Sequence, residues 1–203
     1  MNKPAARDLL FLFTISLALR LTTAALIPRP GYMDTAYYAA GARLLAQGEG
    51  FTEPFLWHYL DDPETLPHPG FLYWMPLPSI LAAPFAGGSF FVLQIPFVVL
   101  SAALPLVSYQ LAHKSTGSRR TGWLAGLITL FSGFFFPYWT LPETFAPFAL
   151  LGSLSIWLAG IELGLGGQFV LGLLVGLAHL TRADGILLLL VAILGLPLLR
   201  RPV

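Results

Sequence analysis

The chain has 203 residues, 56% of them hydrophobic and only 10% charged, with a net charge of +1. Soluble domains carry about 25% charged residues, so this composition excludes an ordinary water-soluble globule. The net charge says nothing about nucleic acid, but no basic block or nucleic-acid motif occurs, so no nucleic-acid partner is expected; the absence of cysteine excludes disulfides and thiolate metal sites.

The first apolar run, Leu9 to Ile27, follows Lys3 and Arg7 and is long enough to approach the roughly 20 residues of a bilayer span. Lys3 and Arg7, the apolar stretch and the small pair Ala24-Ala25 also fit a signal peptide. The many later apolar runs favour a retained first helix, which Pro28 and Pro30 terminate.

Residues 29–78 form the least apolar stretch. Asp34, Glu49, Glu53, Asp61, Asp62 and Glu64 outnumber Arg29 and Arg43 in it, so it reads as an acidic loop. Within it, Asp34 opens a small amphipathic helix that Gly48 can end. Tyr37, Gly41, Leu44 and Leu45 recur at three-to-four spacing, as on an interfacial helix. Leu77 to Phe85 is short and apolar, an interfacial or re-entrant piece ended by Gly87-Gly88.

Five more spans follow: Phe90–Leu111, Gly122–Phe136, Phe145–Ile161, Phe169–Leu180 and Gly185–Leu199. The expected fold is therefore an all-α polytopic membrane protein, a single module of about six transmembrane helices with a long first extracytoplasmic loop. Cytoplasmic ends collect Lys and Arg. Six spans place Lys3/Arg7, Lys114/Arg119/Arg120 and Arg200/Arg201 on one side, with both termini cytoplasmic. The acidic loop, Pro142-Glu143 and Arg182–Asp184 then share the opposite face.

Several residues on that face can carry chemistry, each with a plainer alternative. Asp34 suits a helix N-cap and equally a general base at the bilayer surface; the two roles are compatible. Arg20, inside the first span, faces a bundle interior or a wet cavity, or snorkels to the interface. Arg182 and Asp184 in HLTRADG form a turn pair or an anion site, where a guanidinium fork matches phosphate oxygens beside a helix N-terminus. Pro142 and Glu143 suit a helix start, and Glu143 is also a substrate-site candidate. His58, Asp61, Asp62 and His68 match no recognised metal-ligand spacing, and His179 reads as a packed polar residue. Trp57, Tyr59, Tyr73, Trp74, Tyr138 and Trp139 read as interfacial belt aromatics.

These residues occur in one order: an arginine in the first span (LALRL), then GYMDTAYYAAGARLLAQG, LPHPGFLYWMPL, a Gly-Gly break, LPETF and LTRADG. The order resembles the N-terminal part of the GT-C membrane glycosyltransferases, in the protein O-mannosyltransferase and aminoarabinose-transferase branch, over nearly the whole chain. The resemblance implies transfer of a sugar from a polyprenyl-phosphate donor to an acceptor hydroxyl on a protein, lipid or glycan at the outer membrane face, with inversion. It implies Asp34 as catalytic base, Arg182, with Arg20, as donor phosphate ligands, and Glu143, His68 and Tyr37 as substrate-site residues. The family's His-Pro-Pro element is His-Pro-Gly here, and its second acid, often Asp, is Glu143. No cofactor is assigned, a divalent metal being the one left open. Such enzymes continue into further spans, so the chain is expected to be the first part of a longer transferase or a short form. A transporter, a carrier-lipid-binding module and an inactive fragment are the alternatives. The absence of an internal repeat argues against the transporter.

Overall fold

The computed structural model describes residues 6–56, 62–132, 136–161 and 163–199. Lys3, Trp57, His58, Tyr59, Asp61, Arg200 and Arg201 lie outside the described residues. Among the described residues eight α-helices dominate, with a single antiparallel ladder of two two-residue strands.

Helix α1, Ala6–Leu26, ends just before Pro28 as its sequence dictates. With 21 residues it is about 32 Å long. Helix α2, Met33–Gln47, closes at Gly48, whose φ of 84° lets the backbone turn left-handed and return N–H groups to the Leu44 and Leu45 carbonyls. Asp34 is not its cap. Tyr32 occupies the cap position in an extended conformation and gives no side-chain bond. The carboxyl of Asp34 therefore sits in the first turn, uncommitted to capping.

After α2 the chain forms β1 (Thr52–Glu53) and β2 (His68–Pro69), with Glu53 opposite His68. Helix α3, Leu77–Ala82, and a 3-10 turn at Ala83–Phe85 make the expected short apolar piece. Helix α4, Phe90–Thr116, runs 27 residues and absorbs most of the expected basic loop, which shrinks to Gly117-Ser118. Helix α5, Arg119–Leu130, begins there, with the Ser118 hydroxyl accepting the Thr121 N–H at 3.3 Å. It starts earlier than its apolar residues foretell and ends before the expected Phe136. Helices α6 (Phe145–Ala159), α7 (Leu165–Thr181) and α8 (Leu187–Leu199) complete the chain. A 3-10 turn at Ala183–Ile186 separates the last two.

Helices α1 and α4 are long and apolar enough to cross a membrane; α6 and α7 are apolar but shorter. Helix α4 is the spine, packed against α1, α5 and α6. One buried apolar cluster joins Ala39 and Ala42 of α2, Ala82 of α3 and Phe90, Leu93 and Phe97 of α4. It fixes the acidic-loop helix against the bundle. A second joins α6, α7 and α8 through Ala159, Leu171, Val175 and Ala192. Near the first turn of α1, Asp8 pairs with Arg119 at 2.6 Å, tying that end of α1 to the start of α5. The Asp34, Glu143 and Arg182 segments meet around one cavity elsewhere in the bundle.

Candidate functional site

Three chain segments converge on a cavity of about 410 Å³. The first turn of α2 contributes Asp34 and, one turn later on the same face, Tyr38. The turn before α6 contributes Glu143 and Thr144, and the α7–α8 connection contributes Thr181, Arg182 and Asp184. Tyr73, Trp74 and Phe145 add aromatic wall. Asp34, Glu143 and Arg182, far apart in sequence, thus share one hollow.

The two acids differ in how they are held. Asp34 is half-buried, and burial raises its pKa above the ordinary carboxylate value. Glu143 is buried, at 3% exposure. Its Oε1 accepts both the Thr144 N–H and the Thr144 hydroxyl at 2.9 Å. Its Oε2 has no hydrogen-bond partner among the described residues. The Tyr32 hydroxyl lies beside Glu143, close enough to feel its charge, and has no partner in good hydrogen-bond geometry among the described residues. Burial raises the Glu143 pKa, the Thr144 bonds oppose that, and the nearby Asp34 charge adds to the rise. Two carboxyls facing one cavity therefore resist double ionisation.

Arg182 is the cation of the cavity wall. Its Nε and Nη2 donate to the two oxygens of Asp184 at 3.0 and 3.2 Å, and its Cζ stands 5.4 Å from the Phe148 ring centre. The Asp184 bond raises the Arg182 pKa, and Arg182 lowers that of Asp184. The expected helix N-terminus beside Arg182 is not there. The short 3-10 turn intervenes, and its Gly185 N–H already returns to the Arg182 carbonyl at 2.9 Å. Attraction for an anion therefore rests on the guanidinium, not on a helix dipole. Glycine is required at position 185: a Cβ there would stand 2.5 Å from the Ala178 carbonyl, so only glycine lets the turn close onto α7.

Arg20, His68 and Tyr37 are not brought to this cavity. Arg20 is 1% exposed, and its Nη atoms donate to the Leu130 carbonyl at 3.1 Å and the Phe136 carbonyl at 3.2 Å. Its guanidinium lies 4.6 Å from the Phe136 ring centre. It caps the open Leu130 carbonyl at the end of α5 and ties it to the Phe136 carbonyl ahead of Tyr138, instead of reaching a phosphate. The Tyr37 hydroxyl donates to Glu53 Oε1. The Phe71 N–H donates to both, at 3.0 Å to the tyrosine and 3.1 Å to the carboxylate. His68 Nε2 lies 3.1 Å from the Phe55 carbonyl and 3.8 Å from Glu53 Oε2. Tyr37, Glu53 and His68 thus form a lock that holds Phe71 at a φ of 59°, a left-handed conformation unusual for a bulky residue. Tyr73 and Trp74 follow directly into the cavity wall. The departure from His-Pro-Pro falls within this lock, since Gly70 packs a backbone against Glu53 where a Cβ would lie 2.9 Å from its side chain.

Tyr38, Tyr73, Trp74, Thr144 and Thr181 line the cavity without having been singled out for it by sequence. For Tyr38 the signal was its four-residue spacing from Asp34, masked by the adjacent Tyr37. His179 places Nδ1 3.1 Å from the Ala183 carbonyl, bracing the turn that carries Arg182. Among the described residues no three His, Asp or Glu side chains come together as metal ligands do.

Comparison with protein-family models, with curated proteins and with solved structures returned no match.

Proposed function

We propose that the chain is a polytopic membrane protein that binds a polyprenyl-phosphate sugar in the Asp34–Glu143–Arg182 cavity and transfers the sugar to an acceptor hydroxyl. The observation that carries this reading is the convergence itself: two half-buried or buried acids and a guanidinium on three distant segments line one hollow. An acceptor O–H needs a base within hydrogen-bond reach. A phosphate leaving group needs a cation but no general acid, unlike glycoside hydrolysis with its two carboxyl roles.

In the proposed reaction the acceptor oxygen attacks the anomeric carbon while the carbon–oxygen bond to the phosphate breaks. The acceptor proton passes to Asp34. The electron pair leaves on the phosphate, whose added negative charge faces Arg182. Direct displacement inverts the anomeric centre. Glu143 tunes Asp34: when ionised, it makes Asp34 a stronger base, because removing a second proton beside a negative charge is harder.

Two features support the membrane setting. Helices α1 and α4 have the length and apolarity of spans. The outward faces of the later helices are apolar, with Phe169, Leu187 and Leu194 exposed. Helix α7, with 17 residues, is about 25 Å long, short of the ~30 Å hydrocarbon core. A six-span arrangement therefore uses the flanking turns or local bilayer thinning. The Asp8–Arg119 pair favours placing the first turn of α1 and the α4–α5 junction on one, cytoplasmic, side. The donor cavity then belongs to the opposite face of a plasma or inner membrane.

The test is a reconstituted assay with a polyprenyl-phosphate sugar labelled in the sugar, with donor binding and label transfer measured separately. Saturable binding that Arg182→Ala weakens, with transfer that Asp34→Asn abolishes, is the expected result. A protein that binds no polyprenyl-phosphate sugar overturns the reading.

A further inference from the structure

Most polar donors around the cavity are already spent within the protein. The Thr144 hydroxyl donates to Glu143 and the Thr181 hydroxyl to the Leu177 carbonyl, both at 2.9 Å. The Arg182 fork is shared with Asp184. Tyr38 differs. Its ring is held: it is 1% exposed, sits edge-on to Tyr37 at 5.6 Å, and its carbonyl accepts the Ser79 hydroxyl at 2.9 Å. Its own hydroxyl makes no hydrogen bond to any described residue. A ring held this rigidly, with its O–H open to the cavity and not bonded within the protein, is set to donate to what the cavity holds.

We propose that Tyr38 is a ligand-contacting residue whose hydroxyl donates a hydrogen bond to a phosphate oxygen of the anion held by Arg182. The proposal rests on reading the cavity as a polyprenyl-phosphate site. Arg182, already half engaged by Asp184, leaves phosphate lone pairs open, and a phosphate oxygen is a stronger acceptor than a sugar hydroxyl. Burial and the flanking charges of Glu143 and Asp34 raise the Tyr38 pKa, so the phenol stays a donor at every working pH. Tyr38 and Asp34 project from one face of α2. The same helix therefore presents the leaving phosphate with a donor and the acceptor with a base, which fixes the distance between the two ends of the displacement.

The test is a binding titration of the full detergent-purified chain with three probes: a polyprenyl phosphate, the polyprenol of the same length, and inorganic phosphate. Tyr38→Phe keeps the ring and removes only the donor, so its thermal midpoint should match the unmutated protein. The expected result is about a tenfold loss of affinity for the polyprenyl phosphate, the scale of one hydrogen bond to a charged group, with weak polyprenol binding unchanged. If Arg182→Ala weakens binding of the polyprenyl phosphate while Tyr38→Phe does not, the Tyr38 assignment falls and the cavity reading stands. If the unmutated chain binds the phosphate no better than the alcohol, both fall. Saturable binding of inorganic phosphate as tight as that of the lipid, and equally weakened by Tyr38→Phe, keeps the tyrosine contact and removes the lipid.

Discussion

Two buried acids, Asp8 and Glu143, are both 3% exposed, yet they are treated in opposite ways. Asp8 is saturated. Its Oδ1 accepts Arg119 Nη2 at 2.6 Å, and its Oδ2 accepts Arg119 Nε at 2.6 Å and the Tyr109 hydroxyl at 2.9 Å. Glu143 is bonded on one oxygen only, and its other oxygen, near Asp34 and Tyr32, has no partner among the described residues. The arginines repeat the contrast. The two Nη atoms of Arg20 are spent on main-chain carbonyls outside the cavity lining, although its Nε has no partner among the described residues, whereas Arg182 stands in a cavity wall with a single carboxylate for company. A bidentate, fully satisfied pair holds helices together and has nothing left for a ligand. Groups left short of partners carry a desolvation cost that a substrate can relieve.

The largest effect expected from breaking this contrast is on Asp34. Asp34→Asn removes the proposed base but keeps the shape, and label transfer should fall about a hundredfold or more, the lower range for general base catalysis. Donor binding should survive. Transfer at the unmutated rate would show that the acid is not the base.

Next comes the arginine pair. Arg182→Ala should weaken polyprenyl-phosphate binding about tenfold. Arg20→Ala should instead lower the thermal midpoint, because it uncaps the end of α5, with the ligand affinity of whatever protein remains folded unchanged. Equal loss of affinity in both variants would place Arg20 in the site after all.

Asp8→Asn sharpens the comparison from the other end. It should lower thermal stability by breaking the Arg119 fork, and leave donor affinity untouched. A variant with normal stability and impaired binding would reverse the division between the two ends.

The smallest effect is the pH response. Burial raises the folded-state pKa of Asp34 and Glu143 above that of the unfolded chain. The folded protein then holds more protons than the unfolded one just above the ordinary carboxylate value, roughly pH 4. Stability should therefore fall as pH rises through that interval toward the raised folded values. Transfer should rise over the same interval, since the base must be ionised. The double variant Asp34→Asn/Glu143→Gln should flatten this stability loss, measured as thermal midpoint against pH. A slope unchanged by the double variant would mean that the acids are not strained by burial.

Much of the helical order was legible in the chain. Pro28 and Gly48 mark real ends of helices, and the Gly-Gly break precedes α4 as read. Apolar length told where helices lie but not where they stop. Helix α4 runs through the buried His113 and on through the exposed Lys114, Ser115 and Thr116, because polar residues do not by themselves end a helix, and only Gly117, in the left-handed conformation, halts it. The site was half legible. Asp34, Glu143 and Arg182 were named from residue type and position, and all three line the cavity. Arg20 was named on the same grounds, Tyr37 and His68 from the resemblance, and each is committed to a partner elsewhere. Nothing local separates the two groups. Tyr37 and Tyr38 are adjacent and chemically identical, and about 100° of helix rotation sends one to Glu53 and the other to the cavity.

Composition and apolar patterning alone determined that the chain is helical, because burial of apolar surface and the pairing of backbone groups depend on local sequence. They foretold six spans, whereas the structure has two helices, α1 and α4, long and apolar enough for a bilayer among the described residues. Which charges are neutralised and which are left exposed to a ligand was decided only by tertiary structure. Partners such as Asp8 and Arg119, or Arg20 and Leu130, are about a hundred residues apart, and no local pattern encodes their meeting.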